Sequence, residues 1–253
     1  MKVTFLGTGT SQGVPVIACP CDVCTSNDAR DKRLRSSIMV QDEDTLIVID
    51  SGPDFRQQLL REKVTRLDGL LFTHEHKDHI AGMDDIRAFN YIGQKPVDIY
   101  ATQQVQAAIQ REFHYAFDAI KYPGVPELNL HTIYNKKFKI GTIELLPILV
   151  KHFMMDVFGF RIQDFTYITD AKTIAEDEME KIKGTRILVL NALRRQAHVS
   201  HFTLAEALDI IKIIKPEKAY LTHISHQLGR HSTVNPELPE GVECAYDGLK
   251  IEI

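Results

Sequence analysis

The sequence has no apolar run approaching the length needed to span a bilayer, which argues against a membrane-embedded chain. Its opening, Met1 to Leu6, is too short for a secretory leader and runs straight into a glycine-rich turn. The expectation is a cytoplasmic protein. An excess of positive charge is also missing. Lys and Arg number 30 against 34 Asp and Glu, a formal net charge of -4, whereas a general nucleic-acid binder has a basic footprint. Cysteine is scarce, with 4 in 253 residues, and three of them fall within Cys19-Pro-Cys-Asp-Val-Cys24. Neighbours that close make awkward disulfides and three cannot all pair, so in a reducing compartment the cluster reads as thiolate metal ligands. Cys244 reads as a small buried apolar side chain. No linker or low-complexity segment divides the chain, and 44% hydrophobic with 25% charged residues is an ordinary globular balance. A single domain over residues 1–253 is expected, with ample material for a core.

Against these absences stands one concentration. Residues 74 to 79 read His-Glu-His-Lys-Asp-His, directly after an apolar run, Gly69-Leu-Leu-Phe72, that reads as a buried strand. A strand fixes its last residue, and the following turn aims several side chains at one region. His74 and His76 project to one side if the chain stays extended, and Asp78 and His79 face a second point once it bends. A single histidine on an apolar face is usually a satisfied core residue. Five such groups in six positions would be costly to desolvate without a partner charge, which makes metal the better account.

Periodicity places further donors. Lys2 to Leu6 reads as a strand ending in Gly7-Thr-Gly-Thr-Ser-Gln-Gly13, which lacks the lysine and helix of a phosphate loop and is expected to be a turn at a site rim. Hairpins are expected at Ser37–Val40 with Thr45–Asp50, at Lys137–Ile140 with Thr142–Leu149, and at Phe158–Ile162 with Phe165–Thr169. Helices are expected over Pro53–Glu62, Gln103–Phe113 and Ala175–Lys183, and after the capping box Thr203-Leu-Ala-Glu206. His152, Asp170 and His223 each close an apolar run, as the 74–79 cluster does, so all four should stand at the same edge of a sheet. The alternation of strands and helices predicts an α/β fold of two packed sheets with helices outside.

Thr73-His-Glu-His-Lys-Asp-His79 resembles the H-x-H-x-D-H signature of the metallo-β-lactamase superfamily. Asp50-Ser-Gly52 is similar to its D-x-G turn, and His152, Asp170 and His223 fall in its later motif positions. The resemblance covers essentially the whole chain. It implies a four-layer αβ/βα sandwich with two cations, Zn²⁺ or Mn²⁺, between the sheets. It further implies that His74, His76 and His152 hold one ion, that Asp78, His79 and His223 hold the other, and that Asp170 bridges them. Asp50 is either a support for these ligands or a turn-forming residue before glycine. Cys19, Cys21 and Cys24 with His226 resemble the structural zinc site of the branch that contains the phosphodiesterase of phosphonate breakdown. The coenzyme PQQ biosynthesis protein has a similar cysteine segment but lacks the full histidine cluster.

The resemblance implies a dinuclear, metal-dependent phosphodiesterase acting on a small cyclic or diester phosphate through a hydroxide shared by the two ions. His201 is the expected general acid, with Asp78 and Asp170 also at the reacting centre, and His198 competes with His201 for that role. Arg194 and Arg195 either clamp a second phosphate or are solvated loop charges. His114, His131 and His231 have no supporting pattern. Alternatives are tRNA 3′ processing, disfavoured by the absence of a basic arm between Tyr115 and Leu130, hydrolysis of a carboxylic ester, thioester or lactam, and a non-enzymatic role in cofactor biosynthesis. A homodimer is possible by analogy with relatives, and neither nucleic acid nor membrane is an expected partner.

Overall fold

The computed structural model describes residues 1–253. Its strands in chain order are β1 (Lys2–Gly7), β2 (Ser37–Asp42), β3 (Thr45–Ile49), β4 (Gly69–Leu71), β5 (Val97–Ala101), β6 (Leu128–Thr132), β7 (Phe138–Ile140) and β8 (Ile143–His152). They continue with β9 (Met155–Ile162), β10 (Phe165–Ile168), β11 (Thr173–Ile174), β12 (Ile187–Asn191), β13 (Lys218–Thr222), β14 (Val242–Cys244) and β15 (Lys250–Glu252). The helices are α1 (Phe55–Arg61), α2 (Lys77–Ile80), α3 (Arg87–Gly93), α4 (Gln103–Glu112), α5 (Glu176–Ile182), α6 (Leu204–Ile214) and α7 (His231–Val234).

Two sheets result. The first runs β15-β1-β2-β3-β4-β5-β6, and the second runs β11-β8-β9-β10-β12-β13-β14, with β7 attached to β8. The pleat sorts each strand into two faces. In β3, Ile47 and Ile49 pack between the sheets while Leu46 and Val48 pack outward. In β12, Val189 points inward while Leu188 and Leu190 point outward. The inward set meets Phe5, Phe160, Phe165 and Tyr167 in a core between the sheets. On the first sheet the outward set is covered by Phe55 and Leu59 of α1 and Val105 and Ile109 of α4. On the second, Ile182 of α5 and Leu204, Ala207 and Ile211 of α6 do the same. This is the αβ/βα sandwich expected from the sequence.

The capping box of α6 forms as expected: Thr203 Oγ accepts from the Glu206 N–H, and the Glu206 carboxylate accepts from the Thr203 N–H. Helix α1 is shorter than expected. Asp54 leaves its first turn without a side-chain cap and instead accepts from the Arg35 backbone N–H and guanidinium. The short strands β5 and β6 were not expected. β5 joins β4 and β6 joins β5, both in parallel; β5 alternates buried Val97, Ile99 and Ala101 with polar or half-buried residues, and no residue of β6 is fully buried. No helix is long and apolar enough to cross a membrane.

Candidate metal centre

Strand direction brings the candidate ligands together. In the first sheet β3 and β4 run parallel, so Asp50 and His74 emerge from the same edge. In the second, β10, β12 and β13 are parallel, and β8 shares their direction because both β8 and β10 are antiparallel to β9. His152, Asp170 and His223 therefore emerge together. One point of the sequence reading needs correction. The four donor segments do not share one sheet edge. The 74–79 segment leaves the first sheet and the other three leave the second, so the centre lies where the two edges face each other.

Backbone geometry at these ends is unusual. Asp50, Asp170 and His223 all have positive φ, at 67°, 55° and 54°. Non-glycine residues rarely occupy this left-handed region, and each such placement costs roughly 1–2 kcal/mol. Here it turns the chain abruptly off the strand and aims the side chain back at the seam. The 74–79 segment bends as expected: His76 is extended and forms the N-terminal boundary of α2, which carries Asp78 and His79. The Asp50-Ser-Gly52 turn clamps that helix. Ser51 N–H donates to His79 O at 2.7 Å, and Gly82 N–H donates to Ser51 O at 2.8 Å. A Cβ on Gly52 would lie 2.1 Å from Asp78 O, so only glycine permits this approach.

Asp170 is the hub. Its Oδ2 lies 3.5 Å from His79 Nε2 and 3.8 Å from His74 Nε2, and its Oδ1 lies 3.0 Å from His223 Nδ1. Donor atoms of Asp78, His79, Asp170 and His223 fall within 4.8 Å of one another, as do those of His74, His76 and Asp170, and those of His152, Asp170 and His201. His152 thus groups with His201 around Asp170, with its ring centroid 5.1 Å from that of His76.

Supporting contacts orient the rings. His79 Nδ1 donates to Asp50 Oδ2 at 2.7 Å, which leaves His79 Nε2 buried with no hydrogen-bond partner. His152 Nδ1 donates to Ser200 O at 2.7 Å, freeing its Nε2 in the same way. Asp50 is both a support and a turn residue, since it also accepts from the Thr73 N–H and hydroxyl, each at 2.9 Å. Thr10 Oγ, from the glycine-rich turn, lies 3.2 Å from His223 Nε2, and Ser36 Oγ lies 3.1 Å from His223 Nδ1. That puts the turn at the rim of the centre. Sequence alone gave no signal for Thr10, Ser36 or Ser200, because a lone hydroxyl or carbonyl carries no pattern.

The electrostatics suit cations. Burial pushes His74 well below the usual histidine range and lowers His152 and His201, the latter to about 2, so these rings are neutral as metal ligation requires. Burial acts the same way on His79, but Asp78, Asp170 and Asp50 outweigh it and hold that ring well above the usual value. Burial would raise Asp170, yet His223 and His79 hold it well below the carboxylate range. In effect, carboxylates that call for positive charge surround the unpartnered His79 Nε2. The nitrogen and oxygen donor set fits divalent cations.

A second cluster stands apart. The Sγ atoms of Cys19 and Cys21 each lie 3.3 Å from His226 Nδ1, and that of Cys24 lies 3.5 Å away. Tetrahedral zinc with S and N ligands needs such edges of about 3.5 Å. Burial pushes Cys24 up to about 11, whereas the Cys24 backbone N–H and then His226 hold Cys21 down to about 6. Cys244 is buried in the outer core beside β13, as expected.

His201 is buried with its ring centroid 4.4 Å from that of His152 and 4.7 Å from that of His223, and its Nδ1 has no partner. His198 is more exposed, 5.1 Å from His201 between ring centroids, and its Nδ1 accepts from the Ser200 N–H. Both arginines have surface partners here. Arg194 donates to Gln227 Oε1 and Ala197 O, both at 2.8 Å, and Arg195 pairs with Glu237 at 2.5 Å. His131 bonds Asp98 at 2.8 Å, and the buried His231 lies against Arg33, both away from the centre.

A family model described as a Beta-lactamase superfamily domain matches residues 45–224, from β3 to just beyond His223. The chain belongs to the metallo-β-lactamase superfamily. Within it, the chain is similar over its full length to a crystal structure described as a new diphosphatase from the PhnP family, with 38% identity, 97% of that chain covered and a TM-score of 0.93. This places it in the PhnP-like branch. Zinc-bound PqqB from Methylobacterium extorquens shares the fold at a TM-score of 0.80 and 18% identity, with both chains fully covered. A Porphyromonas gingivalis protein named octanoyltransferase is 38% identical over 99% of this chain, which spans about half, 51%, of that protein's length.

Proposed function

We propose that this metallo-β-lactamase-type domain is a dinuclear metal-dependent phosphodiesterase for a small diester or cyclic phosphate. The observation that carries the reading is the convergence on Asp170 of His74, His76, Asp78, His79, His152 and His223 from both sheets, in a chain so similar to a PhnP-family diphosphatase. His74, His76 and His152 would hold one ion, Asp78, His79 and His223 the other, with Asp170 between. When bound, two divalent cations (Zn²⁺ or Mn²⁺) supply charge neutralisation at the phosphoryl oxygens and acidify water. The protein's own groups do the rest. Asp50 and Ser200 fix the tautomers of His79 and His152, so that each presents Nε2 to the seam. His201, wedged between His152 and His223, would direct its unpartnered Nδ1 to a phosphoryl oxygen; because burial keeps the ring neutral, its part is a hydrogen bond rather than delivery of a proton from an imidazolium. Cys19, Cys21, Cys24 and His226 would hold a structural zinc at a distance from the chemistry.

The name octanoyltransferase describes a protein about twice as long as this chain and need not describe the matched half. All four cysteines lie outside the centre, so no acyl group can pass through a cysteine thioester there. The test is a substrate panel with metal analysis: bis(p-nitrophenyl) phosphate, an octanoyl thioester and a lactam, for the native chain and Asp170→Asn. Turnover of the phosphodiester, abolished in Asp170→Asn together with loss of bound metal, is expected. Turnover of the thioester alone, or an Asp170→Asn variant as active as the native chain, would remove the reading.

A further inference from the structure

The chain contains four hairpins with two-residue tips: Glu43-Asp44, Gly141-Thr142, Phe153-Met154 and Gln163-Asp164. In all four the first tip residue has positive φ, at 49°, 54°, 58° and 52°. Such turns favour Gly, Asn and Asp, because those residues tolerate the left-handed region and keep company with water. Three of the four tips hold polar residues or glycine. The fourth places a phenylalanine in the strained position and a methionine beside it, with Phe153 64% and Met154 80% exposed. This tip therefore breaks two local rules at once: an aromatic residue at positive φ, and two large apolar side chains in solvent.

Its location separates it from the others. Phe153 directly follows His152, the last residue of β8 and a candidate ligand. The His152 ring is tied to Ser200 O, so the strand end that leads into the tip is held against the loop that carries His198 and His201, in which Val199 is 72% exposed. Three exposed apolar side chains therefore lie within two residues of the His152–Ser200 contact. Asp50, Asp170 and His223 in the same centre also hold positive φ, although polar residues elsewhere in the chain do so too; among the large apolar side chains Phe153 alone does.

We infer that Phe153 and Met154, with Val199, form an apolar lip that contacts the organic substituent of the substrate and selects phosphodiesters bearing a planar or apolar group. This rests on the phosphodiesterase reading and names its substrate class. The aromatic ring packs against a planar substituent, while the phosphate occupies the seam between the sheets.

Two diesters with the same leaving group test it: bis(p-nitrophenyl) phosphate and methyl p-nitrophenyl phosphate. The variant is Phe153→Gly with Met154→Thr, the pair already found at the Gly141-Thr142 tip, which suits a turn with positive φ at its first residue only and so should melt no lower than the native chain. The native preference in kcat/KM for the diaryl ester should shrink in the variant by about 2- to 10-fold, chiefly through KM. Met154→Ser, at a position with ordinary φ, should give a smaller loss in the same direction and serves if the double variant folds poorly. An unchanged preference in a folded variant overturns the inference. So does loss of vesicle binding or self-association with the preference intact, which would assign the tip to a membrane or a second copy. If the native chain with metal hydrolyses neither diester, the phosphodiesterase reading itself has failed. The lip is then judged by calorimetry with diphenyl and dimethyl phosphate, where equal binding of the two sinks it.

Discussion

At the residue scale the centre is organised by its carboxylates. Asp50 accepts three hydrogen bonds, from the Thr73 N–H, the Thr73 hydroxyl and His79 Nδ1. Asp50→Ala would leave those donors unpaired and let the His79 ring rotate or change tautomer. We expect metal affinity at the centre to fall by about 10- to 100-fold, read by competition with a chromogenic chelator. Retention of native affinity would mean that Asp50 serves the turn alone. At the cysteine cluster, Cys21→Ser should lower metal content by one equivalent per chain and reduce thermal stability, because the thiolates anchor an otherwise weakly packed loop. An unchanged metal count in that variant would show that the four side chains converge without binding. The candidate ligands were legible because histidines and cysteines at short spacing are rare unless used. The hydroxyls and carbonyl that orient them were not, since serine, threonine and backbone groups occur everywhere.

At the scale of elements, the turn after β3 and helix α2 behave as one device. Ser51 is bonded to His79 O in the helix and to the Gly82 N–H just past its C-terminus, and Gly52 packs against the Asp78 carbonyl. Gly82, just past α2, is equally confined: a Cβ there would lie 2.1 Å from Gly52 O. Gly52→Ala cannot be absorbed by a side-chain rotation, because the obstacle is the Asp78 carbonyl. The helix must move, and Asp78 and His79 move with it. The expected result is loss of one of the two ions and a destabilisation of about 1–3 kcal/mol, measured by metal analysis and denaturant titration. A fully loaded, native-like variant would mean that the helix position is not what sets the ligand geometry. Continuous apolar runs made β3, β4, β10, β12 and β13 legible in the sequence, as the capping box did for α6. β5, β6 and the β8–β9 hairpin were not legible. The first two mix polar with apolar residues and so lack a continuous apolar run, and the hairpin has a Phe-Met tip that carries none of the usual turn residues, so its strands read as one run ending at His152 and another beginning later.

At the scale of the molecule, each sheet is internally hydrogen-bonded, and what joins the two is the apolar core between them, a few hydrogen bonds such as Phe158 N–H to Thr73 O and Ile224 N–H to Thr8 O, and the side chains that meet at one edge. Asp50, His74, His76, Asp78 and His79 come from the first sheet, and His152, Asp170 and His223 from the second. The two-sheet architecture was legible from strand alternation. That the centre spans both sheets was not, because strand order depends on pairings between residues far apart in the chain. A cation bound at this edge ties the two halves together and stabilises only the folded state, so its contribution follows its concentration over its dissociation constant. At a thousandfold excess one ion contributes about 4 kcal/mol, equivalent to roughly 10 °C in melting temperature for a domain of this size. Stripping the protein with a chelator should therefore lower its melting temperature by at least that amount. Hydrogen exchange should quicken first in segments 74–80 and 168–172, which face each other across the seam, and later in the strands behind them. Refilling with Zn²⁺ or Mn²⁺ should restore both, but not in Asp170→Asn, which keeps the shape of the hub and loses a carboxylate oxygen shared between the sheets. A melting temperature indifferent to chelation, with exchange unchanged on both sides of the seam, would mean that the apolar core alone holds the sheets together and that the clustered donors bind no ion tightly enough to matter.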